Sequence, residues 1–324
     1  MKIDVLAQNN ETGEIYDISE MVESVSWDTY LEGQPGKLTF NYNDDGVAKI
    51  YEGSPISLKV DDIGIFFGYV FLRGGNEGGK IAITAYDQTR YLKNKDTYVL
   101  SGLTASAIFL RVAQDFKLKV NVLDSPTYIV PERVNDNKTL YDIIQYGVDQ
   151  TLINTGEWYF LRDNFGVIEF LNLNRLKTLH VIGDASLLAG FDFTSSIDTD
   201  SFNQVKLVKE NKVTVKREVY IVKDSVNLAK WGMLQYFETL PETTNDAQMR
   251  ERAERLLKLK NRKTKTLKLT CLGILGISAG SGVVLSIDSL KDEGVTHEQY
   301  FIITNCSHIF QNEMHAMQLE MMVI

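Results

Sequence analysis

Short runs in which apolar and polar side chains alternate fill the first ninety residues, and this period of two limits the fold more than any other feature. Ser24-Val25-Ser26-Trp27-Asp28 alternates, as do Lys37-Leu38-Thr39-Phe40-Asn41-Tyr42, Ile56-Ser57-Leu58-Lys59-Val60 and Lys80-Ile81-Ala82-Ile83-Thr84-Ala85-Tyr86. β-Branched and aromatic residues at this period mark strands with one buried face. Between them lie turn clusters: Glu32 to Gly36, Asn43 to Gly46 and Gly74 to Gly79. Strands at this spacing predict a small sandwich or barrel.

The pattern changes near Gln88. From Thr104 to Phe116 the apolar residues Ala105, Ile108, Phe109, Val112, Ala113 and Phe116 follow helical spacing, with Ser101 or Thr104 as cap. A β-like run, Leu118 to Leu123, comes next. A second helix is predicted from Thr139 to about Leu152, and Glu157 to Leu161 with Val167 to Leu171 read as a hairpin turning over Arg162 to Gly166. β signal returns from about Gly190, at Val205-Lys206-Leu207-Val208, Lys212-Val213-Thr214-Val215 and Glu218 to Val222. It resumes at Thr266 to Thr270, Val283 to Ile287, Tyr300 to Thr304 and Met317 to Met321. One long helix interrupts it, about 245–259, with Met249, Ala253, Leu256, Leu257 and Lys260 on one face and the pairs Glu251–Arg255 and Glu254–Lys258 on its surface. The chain therefore reads as mainly β with α+β: a β-domain over 1–92, a small α+β domain over 93–187, and a second β-domain over 188–324 that carries the long helix. No sequence repeat links the two β parts.

Charge excludes some functions. The net charge of -9 and a pI near 5.1 argue against a general nucleic-acid binder. They are compatible with a channel whose acidic wall repels passing DNA. Residues 250–265 run against this balance, with eight Lys or Arg (Arg250, Arg252, Arg255, Lys258, Lys260, Arg262, Lys263, Lys265) and two Glu, a sum of +6. This basic segment reads either as a solvated helix face or as an electrostatic contact with another subunit or an acidic partner. The two cysteines, Cys271 and Cys306, are far apart and form no CxxC, so they read as small buried hydrophobes in a chain made in a reducing cytoplasm. The start, MKIDVLAQNN, has no apolar stretch of a secretory signal. No run approaches the ~18 apolar residues of a membrane span, so direct membrane insertion is not expected.

Motifs for chemistry are sparse. Gly74 to Lys80 spells G-x-x-x-x-G-K, but Ile81 stands where a P-loop needs Ser or Thr, and a strand follows where a helix should open. His180, His297, His308 and His315 form no HExxH or i,i+4 pair. The doublets Asp44-Asp45 and Asp61-Asp62 sit beside glycine in turn-like sequence. There is no G-x-S-x-G elbow. No catalytic, cofactor or metal residue is assigned, and no cofactor is implied. Carboxylates from separate segments can still converge, as in glycosidases.

The middle block carries a resemblance. Ala85 to Tyr98 (AYDQTRYLKNKDTY) leads to the first helix; Lys138 to Ile144 (KTLYDII) leads through Thr155-Gly156-Glu157 to the Trp158–Leu171 hairpin; the basic helix and Leu275 to Ser281 (LGISAGS) follow. This pattern resembles the XkdQ/YqbQ family of PBSX-like phage elements, over nearly the whole chain. The resemblance implies a baseplate hub of a contractile tail, in which two tail-tube-like β-domains flank the α+β domain. It implies a homotrimer whose six tube-like domains match a sixfold tail tube to a threefold central spike and line the channel. The other partners it implies are the tape-measure and baseplate wedge proteins, within a virion or a phage-like, R-type bacteriocin particle. There is no room for a fused spike or lysozyme-type domain. The competing readings are a cell-wall (peptidoglycan) hydrolase with convergent carboxylates and a glycan-binding tail component that uses exposed aromatics such as Trp27 or Trp231.

Overall fold

The computed structural model describes residues 1–211, 216–295 and 300–323. The first part supplies β1 (Ile3–Gln8), β2 (Ile15–Asp17), β3 (Val22–Tyr30), β4 (Lys37–Asn43), β5 (Pro55–Val60), β6 (Ile63–Gly75) and β7 (Lys80–Tyr86). The middle part holds β8 (Lys95–Leu100), α1 (Ala105–Asp115), β9 (Val120–Val122), β10 (Arg133–Thr139), α2 (Leu140–Thr155), β11 (Tyr159–Asp163), β12 (Ile168–Asn172) and β13 (Lys177–Gly183). The last part contains β14 (Leu188–Ser196), β15 (Gln204–Asn211), β16 (Lys216–Lys223), α3 (Ser225–Trp231), β17 (Gln235–Leu240), α4 (Asp246–Lys260), β18 (Thr264–Leu272), β19 (Gly282–Ser286), β20 (Tyr300–Gln311) and β21 (Met314–Val323).

The architecture is mainly β with α+β parts. The first and last parts do not form separate sheets. One sheet runs β14-β18-β21-β20-β3-β4-β7-β6-β5-β1-β2, and β19 and β13 branch from β20. Its central joint is the antiparallel pairing of β3 with β20, from Tyr30 opposite Asn305 to Ser24 opposite Gln311. One face of this sheet is apolar throughout. Val25, Leu38, Phe40 and Ile83 belong to the core under the first part, and Leu267, Leu269, Leu319 and Met321 to the core under the last. Burying alternate residues of each strand is the main stabilising term, at about 25 cal/mol per Å2 of apolar surface.

The middle part has its own core. α1 and α2 pack on each other and on the β11–β12 hairpin through Ile108, Phe109, Ile143, Ile144 and Phe170. Thr104, not Ser101, caps α1 by accepting from the Ala107 N–H, and Thr139 caps α2 through the Asp142 N–H. The α2 helix ends at Gly156, whose left-handed backbone closes it.

The long helix stands apart from the sheet that flanks it in sequence. α4 packs on a separate three-stranded sheet, β16-β15-β17, through Met249, Ala253 and Leu256 against Val205, Leu207 and Leu240. Residues 204–260 thus form a small lobe between β14 and β18. Asn245 and Gln248 build a reciprocal capping box at the start of α4. The Glu251–Arg255 pair forms as the spacing requires, and Lys260 turns to Asp200. The strand expected over residues 212–215 lies outside the described residues.

Leu256 is 1% exposed at the centre of this packing. Leu256→Ala should lower stability by about 2–5 kcal/mol. Urea unfolding followed by the lobe's Trp231 fluorescence checks this; an unchanged midpoint would show that α4 does not depend on that face.

Candidate functional site

Motif-like segments in the sequence resolve into ordinary turns. Gly74–Lys80 is the tip between β6 and β7, where Asn76 Oδ1 accepts from the N–H groups of Gly78 and Lys80. Those are the groups a phosphate would need. Asp44 and Asp45 accept from the Gly46 and Val47 N–H groups, and Asp61 and Asp62 take the left-handed conformation between β5 and β6. Among the described residues, no group of three His, Cys, Asp or Glu is arranged to hold a metal. Nor is any helix long and apolar enough to cross a membrane.

The β3–β20 joint is built around an aromatic stack that sequence spacing did not reveal. Trp27 on β3 stacks on His308 of β20 at 5.0 Å, His308 stacks on Phe310, and Phe310 stacks on His315 of β21 at 4.4 Å. The His308 Nε2–H donates to the Ile277 carbonyl (2.8 Å), so its Nδ1 is left to accept from the His315 Nε2–H (2.8 Å). Burial pushes the His308 pKa down to about 4, so the ring is neutral. Gly273 leaves the space that the His315 ring fills. Cys306 lies against His308, and burial pushes both thiols up, Cys271 to about 11. They are inert, packed sulfur. Trp27 is therefore part-buried structure rather than an exposed glycan platform, and Trp231 is half-buried in α3. His180 is exposed, and His297 lies outside the described residues.

The opposite face of the same sheet is polar along its centre, with Ile309, Leu72 and Leu272 also on it and Phe165 of the middle part covering it at β6. Cross-strand registry sets Thr270, Gln318, Ser307, Asp28 and Lys37 in one row, with Ser26, Thr39 and Thr84 in the next. Asp28 pairs with Lys37 at 3.0 Å and Asn305 donates to Glu320 at 2.7 Å. Acid and base also alternate across the row Asp192, Lys268 and Glu320, with Lys268 3.8 Å from Glu320.

Among the described residues, carboxylates from separate segments converge at Asp87 and Asp163 and again at Glu32 and Asp149. Asp87, after β7, and Asp163, at the end of β11, border a cavity of about 250 Å3 between the first and middle parts. Asp87 accepts from the N–H of Gly36 and from the N–H and hydroxyl of Thr89; Asp163 accepts from the Gly166 N–H, while its Oδ2 has no partner. Burial, then the charge of Asp163, pushes Asp87 up to about 8; burial also raises Asp163, with a contribution from Glu169. The neighbours of the pair fasten a seam. The turn after Asp163 places Phe165 and Gly166 in the left-handed conformation, the Gln88 amide donates to the Gly166 carbonyl, and the Phe165 ring lies over Gly64 and near Phe67. Three bonds to backbone and hydroxyl leave Asp87 little freedom to act on a substrate.

The basic segment does not form one patch. Arg252 makes a two-bond pair with Glu238 and donates to Gln150 on α2; Arg255 pairs with Glu251, Lys260 with Asp200, and Lys265 donates to the Glu293 carbonyl. Arg250 lies over the Tyr220 ring at 5.9 Å. Arg250, Lys258 and Lys263 are exposed. Arg255, Lys258, Lys260 and Arg262 border a cleft of about 970 Å3 between the lobe, α2 and β20, which Glu32 and Asp149 also line. Burial raises the pKa of both acids.

A family model described as YQBQ-like matches residues 25–322. The chain belongs to the YqbQ-like family. Within reach of this match is the phage-like element PBSX protein XkdQ of Bacillus subtilis (strain 168), 30% identical over 314 residues, which span 93% of this chain and 94% of that protein. In fold, this YqbQ-like chain is similar to the 43 kDa tail protein of prophage MuSo2 from Shewanella oneidensis, with a TM-score of 0.69, 14% identity and 98% of each chain covered. It is also similar to the E. coli c3393 protein, with a TM-score of 0.54 and 11% identity over 93% of this chain and 73% of that one. The latter is described as a type VI secretion component that resembles the T4 tail proteins gp27 and gp5.

The Asp87/Asp163 pair has a measurable consequence. A carboxyl whose folded pKa is raised adds stability below its unfolded value near 3.9, and that stability is lost as pH rises through the folded value. Melting temperature should therefore fall between pH 5 and pH 8. Asp163→Asn removes the like charge and gives the unpartnered position a donor, so it should raise the melting temperature at pH 8 and flatten the profile. An equally steep profile in the variant would show that the pair is not its source.

Proposed function

We propose that this YqbQ-like protein is a structural baseplate hub of a contractile injection tail. Three copies form a pseudo-sixfold ring that joins the sixfold tail tube to the threefold central spike and lines the channel. The observation that carries this reading is the single sheet through the first and last β parts. In this reading the parts 1–92 and 188–324 stand side by side as two tube-like halves, and the middle domain, 93–187, packs against one end of the sheet through Phe165 at β6. Two such halves per chain turn a threefold assembly into a sixfold wall. Closing the ring would also cover the free edges at β14 and β2, which are otherwise a hazard.

The polar face through Ser26, Thr39, Thr84, Ser307 and Gln318 has the character of a channel wall for DNA. It is wettable and offers no unpaired basic row for phosphate to bind. The exposed members of the basic segment, Arg250, Lys258 and Lys263, stand ready for subunit contact. Tube protein, spike and tape-measure protein would be the partners, in a virion or phage-like particle. The names of XkdQ and of the Shewanella and E. coli proteins support a tail role. The protein acts by geometry and not as an enzyme.

Deleting the gene in a producing strain should abolish assembled tails while leaving unpolymerised tube and sheath proteins in the lysate, and electron microscopy of wild-type particles should find three copies at the baseplate. Normal tails from the deletion strain would overturn the proposal. The Asp87/Asp163 and Glu32/Asp149 pairs are the features that favour a hydrolase, and clearing by the purified protein on a peptidoglycan zymogram would establish that reading instead.

A further inference from the structure

The two ends of the long sheet carry opposite charge. The lobe that projects from the β14–β18 end is basic: residues 204–260 hold twelve Lys or Arg against eight Asp or Glu, a net +4 in a chain of net -9. At the other end, β1 and β2 close the sheet, and residues 1–20 and 44–62 hold ten Asp or Glu against three Lys, a net -7. Both ends also expose apolar side chains. α4 covers only one face of the β16-β15-β17 sheet. On the other, registry lines up Ile221, Lys206 and Phe237 in one row and Val219 and Val208 in the next. Val208 is buried, but Val219, Ile221 and Phe237 are 48–49% exposed. Lys223 and Arg217 share this face, with Glu210 beside Arg217. The acidic end exposes Ile15 (67%) and Val47 (65%) among Glu11, Glu14, Asp44, Asp45 and Glu52. Asn9 and Asn10 tie this region together by donating to the Lys49 and Glu52 carbonyls.

We infer that the open face of the 204–260 lobe docks on the acidic β1–β2 end of a second copy of the chain. The occupant follows from the layout. Complementary surfaces at opposite ends of one sheet cannot meet within the chain, yet they meet at once when copies associate head to tail. Apolar contacts at the centre with a charged rim also match the usual anatomy of a protein interface. The inference rests on the self-association proposed above but fixes its contacts and direction rather than its copy number.

Zero-length carbodiimide cross-linking joins lysine to carboxylate, so it reads this contact directly. Equal amounts of 14N- and 15N-labelled chain are mixed at high concentration and low salt, cross-linked and digested. Mixed-isotope links from Lys206, Lys223 or Lys230 to Glu11, Glu14 or Glu52 are expected, and they should decline with added salt. Ile221→Asp with Phe237→Asp changes exposed residues and should leave melting unchanged while cutting these links by roughly tenfold or more. Glu11→Lys with Glu14→Lys should do the same from the other side. Neither variant alone should associate, but their mixture should give one-directional pairs, because each retains the end that the other lacks. Lobe-to-lobe links, or no mixed links in the wild type, would overturn the inference. A head-to-tail contact in assemblies of some number other than three would uphold it and count against the hub reading instead. A trimer linked through other surfaces would do the reverse.

Discussion

The pairing of β3 with β20 is the constraint from which the rest of the structure follows. It joins residues nearly 280 positions apart and makes one sheet of two β segments. Each segment buries a core that is mostly its own, and Phe310 and Leu275 of the last segment complete the first core. What the joint adds beyond this is alignment. A shared ladder fixes the register of the two halves and, with it, the direction of both faces, because a one-residue slip would turn every side chain over. The Trp27–His308–Phe310–His315 stack holds the register on the buried side. Its histidines are kept neutral by burial, so they work as flat aromatic spacers with two directed hydrogen bonds.

Much of this layout was legible. Strands with one wet face keep period two, so β3, β4, β5 and β7 appear in the sequence almost at their true bounds, as does the Met249/Ala253/Leu256 stripe of α4. β6 was not legible. Its run Ile63-Gly64-Ile65-Phe66-Phe67-Gly68-Tyr69-Val70-Phe71 is apolar on both sides because both sides are covered: Phe66 and Val70 enter the first core, while Phe67, Tyr69 and Phe71 meet Phe165, Tyr91 and Tyr86 across the seam. Burial on two faces erases alternation. β1 and β2 escaped for another reason: the Val5-Leu6-Ala7 run breaks the alternation of β1, and β2 is only three residues long.

The candidate surfaces were less legible because each depends on contacts between distant segments. Asp87 and Asp163 are 76 positions apart and become neighbours only when the β11–β12 turn enters the seam. His308 and His315 share a face only because a tight turn at Asn312 and Glu313 makes the last two strands a hairpin. The basic run was visible as charge, but Arg252, Arg255, Lys260 and Lys265 are among the members spent on partners inside the chain, Glu238, Glu251, Asp200 and the Glu293 carbonyl. Composition counts charges without saying which are already neutralised.

The β3–β20 joint also sets an order of events during synthesis. β3 must wait for roughly 270 further residues to be made before β20 exists to pair with it, so the β20-facing edge of β3 stays open through all of that synthesis. A chain stopped before β20 lacks the central register altogether. Only a chain that has passed β20 can present both halves in line, so the topology distinguishes it from any shorter product.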